Sequence, residues 1–401
     1  MADEFTLTAR WVFPVTSTPL EGGLVTVRGD RIAAVEPHGS RKADIDLGTV
    51  AIVPGFVNAH THLDLTGARG KTPPTTDFVG WLRQVIEYRR TRTAEDVRAD
   101  IGDGIAECTQ AGTTLVGDIS GDGSSWEPLS RSPLRAVVYR ELIGLTENRL
   151  LQAKSVCADW RAQHRKTATC RPGLSPHAPY SVHASIILMA AASAMPFCIH
   201  LAETADEATL LELHGGPFVE FLKEMGVWNP DGLIPSHDYL LKRTRRAVFP
   251  VYAHGNYLRP DAAFLANGSV VYCPHTHAAF GHAPHPFRAF VARGVRVALG
   301  TDSLASNPDL SILAEARFVR SRYPAPGDAL LRMATLSGAE ALGWARETGS
   351  LEPGKSADFA VVALPDHDAA DPHELLFESE LPVVATWFRG REVYRSPEAR
   401  G

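Results

Sequence analysis

His60 and His62 stand one residue apart in Pro54-Gly55-Phe56-Val57-Asn58-Ala59-His60-Thr61-His62. In an extended chain residues i and i+2 share a face, so both imidazoles can reach one ion. His200 offers a third nitrogen and Asp302 a hard oxygen. Three histidines and a carboxylate, with one position left for water, suit a single divalent metal, Zn²⁺ first and Fe²⁺ second. Such a metal lowers the pKa of water from ~15.7 to about 7. Glu203 follows His200 by three residues, in His-Leu-Ala-Glu. It is placed beside that water without being a ligand, and can carry its proton to a leaving nitrogen. Asp302 can accept a proton while ligating, and His254 can polarise or orient the water. His177 is placed to bind a substrate heteroatom. The expected chemistry is metal-dependent hydrolysis, with Glu203, His254 and Asp302 as its catalytic groups.

Such residues need elements that aim them at one point. Short apolar runs occur at Gly55–Asn58, Thr113–Ile119, Leu134–Ile143, Gly173–Pro176, Phe197–Leu201, Val248–Ala253, Ser269–Cys273 and Val295–Gly300. Helical periodicity fits Phe78–Arg90, Ala94–Gln110, Glu147–His164, Ala205–Met225 and Leu310–Leu342. Strands alternating with helices imply a parallel sheet, and eight such units over roughly 250 residues fit a TIM barrel. In that fold functional residues gather at the C-terminal ends of the strands. His60, His62, His177, His200, His254 and Asp302 all fall there, which a scatter of structural histidines would not do. The two ends read differently. Thr6 to Val53 alternates in short runs punctuated by Gly22-Gly23 and Gly29-Asp30, and strand patterns return after Gly349. The expected architecture is α/β: a (β/α)8 barrel over 54–345 with a small β-sandwich domain built from 1–53 and 346–401.

The ordered set of Pro54 to His62, His200-Leu-Ala-Glu203, Ala253-His254-Gly255 and Leu299-Gly-Thr-Asp302-Ser303 resembles the amidohydrolase superfamily. It is most similar to the cytosine/guanine-deaminase and chlorohydrolase branch, which includes S-adenosylhomocysteine, adenosine and aminodeoxyfutalosine deaminases. The resemblance extends over nearly the whole chain, to Gly349-Ser-Leu-Glu-Pro-Gly-Lys-Ser-Ala-Asp-Phe. It implies that His60, His62, His200 and Asp302 are the metal ligands, Glu203 the proton shuttle, His254 the histidine that assists hydration, and His177 a substrate-binding residue. Binuclear members use a lysine near the end of strand four. Here that strand reads Arg171-Pro-Gly-Leu-Ser-Pro-His177, so one metal is implied. After strand seven, Cys273-Pro-His-Thr-His-Ala-Ala-Phe-Gly-His282 departs from the Asn- or Ser-rich turn of many relatives.

The implied activity is hydrolytic deamination of an amino-substituted heteroaromatic ring, with an adenine-type nucleoside the expected class and 6-aminodeoxyfutalosine a named candidate. Dechlorination or amide hydrolysis at the same centre is the alternative. A non-enzymatic barrel subunit is disfavoured, because such a chain would be expected to lose ligands. Trp81 can stack on an aromatic substrate or pack between helix and barrel, and His277 is the residue of its turn best suited to touch substrate. His275, His277, His282 and His285 suggest a second metal site; hydrogen bonding within the turn is the favoured reading. Arg69, Arg83 and Arg140 can meet a substrate carboxylate, with surface pairing the default. His164, His183, His214 and His237 lie away from strand ends and are given no role.

Composition excludes other classes. The net charge of -6 gives no basic face for nucleic acid, and the run Lys242, Arg243, Arg245, Arg246 reads as a solvated helix end. Five cysteines without a C-x-x-C pair suggest neither disulfides nor a zinc knuckle, and a reducing cytoplasm is expected. The acidic Met1-Ala2-Asp3-Glu4 is not expected to act as a signal sequence, and Ile186 to Ile199 is too short to span a bilayer. The expected partner is a small molecule, with a homodimer possible and no membrane.

Overall fold

The protein is described by a computed structural model covering residues 4–261 and 268–397. Met1, Ala2 and Asp3, on which the expectation about a leader partly rests, lie outside the described residues. Eight strands form one parallel sheet. They are β1 (Phe56–Thr61), β2 (Thr113–Ser120), β3 (Arg135–Leu142), β4 (Cys170–Pro176), β5 (Pro196–Leu201), β6 (Val248–His254), β7 (Ser269–Tyr272) and β8 (Arg296–Leu299). Each pairs with the next in sequence.

The seam between β8 and β1 closes beyond the end of β8. The Thr301 and Asp302 amides both donate to the His60 carbonyl, at 3.2 and 3.0 Å. Gly300 makes this approach feasible, because a Cβ there would stand 2.9 Å from that carbonyl oxygen. Closing the barrel and bringing His60 to Asp302 are therefore one structural event. Inside, Val57, Ala59, Leu115, Val137, Tyr139, Cys198, Val251, Val271 and Ala298 form a buried cluster. Their period of two within a strand is the inward face of the pleat, so the interior is a packed core rather than a pore.

Helices at Phe78–Arg90 and Ala94–Gln110 match their expected bounds. The first is started by Asp77, whose side chain accepts from the Gly80 amide, and the second by a capping box of Thr93 and Asp96. Two expected helices are broken. Ala205–Met225 is two, Ala205–Leu213 and Pro217–Glu224, because His214 and Gly216 take positive φ (49° and 83°) and Pro217 starts a new first turn. Leu310–Leu342 is three, Ile312–Arg322, Gly327–Ala334 and Leu336–Ala341. Pro324 and Pro326 interrupt it first, and Thr335 (φ −135°, ψ −90°) interrupts it again. The apolar run from Ile186 is the end of a helix, Ala184–Ala191, followed by β5. No helix among the described residues is long and apolar enough to cross a membrane.

The termini make two further sheets. Arg31–Glu36, Leu24–Arg28, Glu4–Thr8 and Ile45–Asp46 form one; Arg391–Arg395, Val383–Phe388, Phe359–Ala363, Val50–Pro54, Trp11–Val12 and Leu20–Glu21 form the other. They share a core containing Leu7, Val25, Val27, Ile52, Phe359, Val361 and Trp387. A buried ion pair, Arg135 to Asp358 at 2.9 Å, joins β3 to the stretch that precedes Phe359–Ala363.

Candidate metal centre and catalytic cavity

His60 ends β1 with Thr61, His62 follows it, His200 lies in β5, His254 ends β6, and Asp302 follows β8. One ligand atom each from His60, His200, His254 and Asp302 lies within 4.8 Å of all the others. His62 belongs to the same group: its Nε2 is 3.1 Å from His200 Nε2 and 3.4 Å from Asp302 Oδ1. His60 Nε2 is 3.6 Å from that oxygen. Ligands at bonds of ~2.0–2.1 Å around a tetrahedral ion stand about 3.3 Å apart, which matches these spacings. His60 Nε2 and His254 Nε2 are buried without a hydrogen-bond partner among the described residues. Unpartnered imidazole nitrogens converging on a carboxylate oxygen fit a divalent cation. Among the described residues no other cluster of three or more such groups is suited to a metal.

The surroundings fix the orientation of these groups. His200 Nδ1–H donates to the His177 carbonyl at 2.7 Å, which turns Nε2 inward. Ser306 Oγ donates to Asp302 Oδ2 at 2.8 Å, leaving Oδ1 for the histidines. His285 Nε2–H donates to the His254 carbonyl at 2.8 Å. Three non-glycine residues here have positive φ: Ala202 (52°), His254 (67°) and Asp302 (60°). Local strain of this kind persists only where the surroundings over-determine it. Burial pushes the His62 and His200 imidazoles well down and His254 to about 3, so each presents a neutral lone pair. Burial pushes Asp302 up, but the approach of His60 and the nearby His62 and His254 outweigh it and keep it ionised.

Glu203 stands at the edge of the cluster, its Oε1 3.5 Å from His254 Nε2. Burial, then the charges of Asp302 and Glu207, push its carboxyl well above the usual range. Asn256 Nδ2 donates to the Glu203 carbonyl at 2.8 Å. Glu207 is fully buried; its Oε1 accepts from the Ala202 amide at 2.9 Å and from His237 Nε2 at 2.7 Å. His237, given no role from sequence, thus reaches the segment that carries Glu203.

A cavity of about 610 Å³ opens onto the cluster, lined at its floor by His62, His200, Glu203 and Asp302. Its walls include Phe78, Trp81, Leu82, Tyr180 and Phe221. Trp81 is both wall and packing: its indole N–H donates to the Thr72 carbonyl at 3.1 Å and its ring meets Phe280 edge-on. His177 lines the cavity, with Nδ1 2.7 Å from Ser181 Oγ. His277 is not among the lining residues; its Nε2 meets the Ala283 carbonyl at 2.9 Å. The turn expected around it is a short helix, Pro274–Ala279. The histidines in and after it contact other segments, His275 with Glu315 (3.1 Å) and His282 with the Tyr257 hydroxyl (3.1 Å).

The arginines singled out from sequence do not line the cavity either. Arg69 pairs with Glu107, Arg83 with Glu224, and Arg140 donates to the Gly121 and Glu141 carbonyls. Arg89, Arg90, Arg149 and Glu141 line it instead. Sequence reasoning passed over them, although Glu141 falls at the rim end of an expected strand, where the fold rule gives a signal.

Comparisons with known proteins agree with this geometry. The 5-methylthioadenosine/S-adenosylhomocysteine deaminase of Moorella thermoacetica is 28% identical over 406 aligned positions, spanning 95% of this chain and 90% of the relative. The structure of Helicobacter pylori aminofutalosine deaminase in complex with methylthio-coformycin matches with a TM-score of 0.86 at 23% identity, covering 97% of this chain and all of that one. An adenosine deaminase from Xanthomonas campestris with bound zinc matches at 0.77 and 26% identity, covering 96% and 92%. The model of the amidohydrolase family matches residues 51–394, and the chain belongs to that family.

Proposed function

We propose that this protein is a metal-dependent aminohydrolase that removes ammonia from an adenine-type nucleoside. The observation that carries the reading is the placement of Glu203: a buried carboxyl, pushed up by burial and by the charges of Asp302 and Glu207, 3.5 Å from His254 Nε2 and beside a His/Asp cluster at the floor of a largely apolar cavity. His60, His62, His200 and Asp302 would hold one ion, Zn²⁺ in the first place, consistent with the zinc-bound relative. Bound there, the metal supplies a water of lowered pKa and a Lewis acid. His254 orients the attacking water. Glu203 takes one proton from the attacking water and gives it to the ring nitrogen as the amino-bearing carbon becomes tetrahedral; the proton of the new hydroxyl then passes by way of Asp302 to the amino group, which leaves as ammonia. His177 contacts a ring heteroatom, and Phe78, Trp81 and Phe221 exclude water from the ring.

The relatives named as deaminases of adenine-containing compounds support this substrate class. Arg89, Arg90 and Arg149 on the cavity lining suit a substrate bearing a carboxylate, as 6-aminodeoxyfutalosine does. The five cysteines are unpaired, which fits a reducing cytoplasm.

Ammonia release from adenosine, 5-methylthioadenosine, S-adenosylhomocysteine, aminodeoxyfutalosine, aminopurines and triazines tests the proposal. At least one adenine nucleoside is expected to yield ammonia, and Glu203→Gln to lower kcat by about 10²–10⁴-fold with metal retained. Metal-loaded protein that releases no ammonia from any of them overturns it. Chloride release from a chlorotriazine would favour dechlorination at the same centre.

A further inference from the structure

Glu315 is a fully buried carboxylate that the proposed chemistry does not use. It sits on the helix Ile312–Arg322 and does not line the catalytic cavity. Burying a carboxylate is costly unless donors satisfy it, and its two oxygens are shared between two segments. Oε1 accepts from Asn307 Nδ2 at 2.5 Å, and Oε2 accepts from the His275 amide at 3.0 Å. His275 Nδ1 stands 3.1 Å from Oε1. A carboxylate can accept at both oxygens, which a carboxamide cannot do.

Both segments lead to one carbonyl. The other proton of the Asn307 amide goes to the Thr301 carbonyl, at 2.7 Å. Thr276, next to His275, donates its hydroxyl to the same carbonyl at 3.2 Å. That carbonyl shares a peptide unit with the Asp302 amide, which donates to the His60 carbonyl at 3.0 Å. A peptide unit is planar, so holding it at both ends fixes the backbone from which the Asp302 side chain starts. Asp302 needs such support, because its φ of 60° is a conformation that a non-glycine residue keeps only where its surroundings impose it. Thr276 Oγ1 also lies 3.0 Å from Ser306 Oγ, which donates to Asp302 Oδ2.

We infer that Glu315 is a positioning residue for Asp302: its two oxygens hold Asn307 and the His275–Thr276 segment, and these pin the Thr301 carbonyl so that Asp302 Oδ1 faces His60 and His62. This rests on the reading of His60, His62, His200 and Asp302 as the ligands of one ion. The two arms can be released separately. Glu315→Gln sets an amide N–H against one of the two donors and frees one arm, whereas Glu315→Ala frees both. Thr276→Val takes one donor from the Thr301 carbonyl and leaves Glu315 in place.

The test measures the zinc dissociation constant of metal-stripped wild type, Glu315→Gln, Glu315→Ala and Thr276→Val by competition with a chromophoric chelator. It then measures kcat and KM for ammonia release from the best nucleoside at saturating zinc. Glu315→Ala is expected to weaken zinc binding about 10–100-fold, as for other partners of a metal ligand, and Glu315→Gln and Thr276→Val to weaken it less. At saturating zinc kcat should fall in the same order while KM stays close to wild type, since none of these residues lines the cavity. In an Asp302→Ala background Glu315→Gln should weaken zinc no further, as for residues acting through one contact. Wild-type zinc affinity in Glu315→Gln and Thr276→Val, or an undiminished loss in the Asp302→Ala background, overturns the inference alone, even where Glu315→Ala fails to fold. Lower melting temperatures of the metal-free variants with unchanged zinc affinity assign Glu315 to structure and overturn it too. A wild type that binds no zinc overturns the metal reading and this inference with it. Zinc-loaded wild type that releases no ammonia overturns the deaminase reading, and the zinc affinities still decide the role of Glu315.

Discussion

Glu207 holds the backbone that aims Glu203. Ala202, the residue before Glu203, has φ 52°, a left-handed conformation that costs a non-glycine residue ~1–2 kcal/mol. The Ala202 amide is tied to Glu207 Oε1, which also accepts from His237, while Asn256 fixes the Glu203 carbonyl. Loss of Glu207 frees this turn and moves Glu203, the proposed proton carrier. Glu207→Ala is therefore expected to lower kcat about 100-fold, as for a misplacement of roughly 1 Å. Glu207→Gln, which keeps an acceptor for the amide, should recover most of it. In a Glu203→Gln background Glu207→Ala should cost nothing further; steady-state ammonia release from the four proteins checks this. That His60, His62, His200, Asp302 and Glu203 come together was legible in sequence because their spacing is local or marks strand ends. Glu207 and His237 were not, because a contact between residues 30 positions apart leaves no local pattern.

At the scale of elements, the exit from β1 is pinned to β2. The Leu63 amide, directly after His62, donates to Asp118 Oδ1 at 3.0 Å, and Ser125 donates to its other oxygen. Burial pushes the Asp118 carboxyl up from 3.8 to about 7. The folded state then binds this proton more tightly than the unfolded chain, so the contribution to stability is fully present below about pH 4 and is lost as pH rises toward 7. The span corresponds to at most about 4 kcal/mol. Asp118→Asn is expected to raise the melting temperature relative to wild type at pH 8 and to lose that advantage at pH 4.5. Melts of both proteins at the two pH values measure this. The strands themselves were well read, since apolar runs bounded by turns are a local signal. The long helical stretches were not, because periodicity continues in phase across Gly216-Pro217 and Thr335, where backbone geometry breaks the helix.

At the scale of the molecule, the barrel seam, the His/Asp cluster and Glu203 form one arrangement. Residues from β1, β5, β6 and the turn after β8 meet because the sheet closes through the His60 carbonyl. The TIM-barrel class and the terminal sheets were legible from alternation and order; the arrangement of the cavity wall was not, because it depends on which helix side chains fold over the rim. Under the proposed function, deamination requires a single ion in this cluster. Chelation followed by titration with Zn²⁺, scored by ammonia release from the best nucleoside, tests it most directly. Activity is expected to be lost on chelation and to recover linearly, saturating at one equivalent per chain, with no recovery in His60→Ala or His200→Ala. Full ammonia release from metal-free protein, or recovery in those variants equal to wild type, would contradict it.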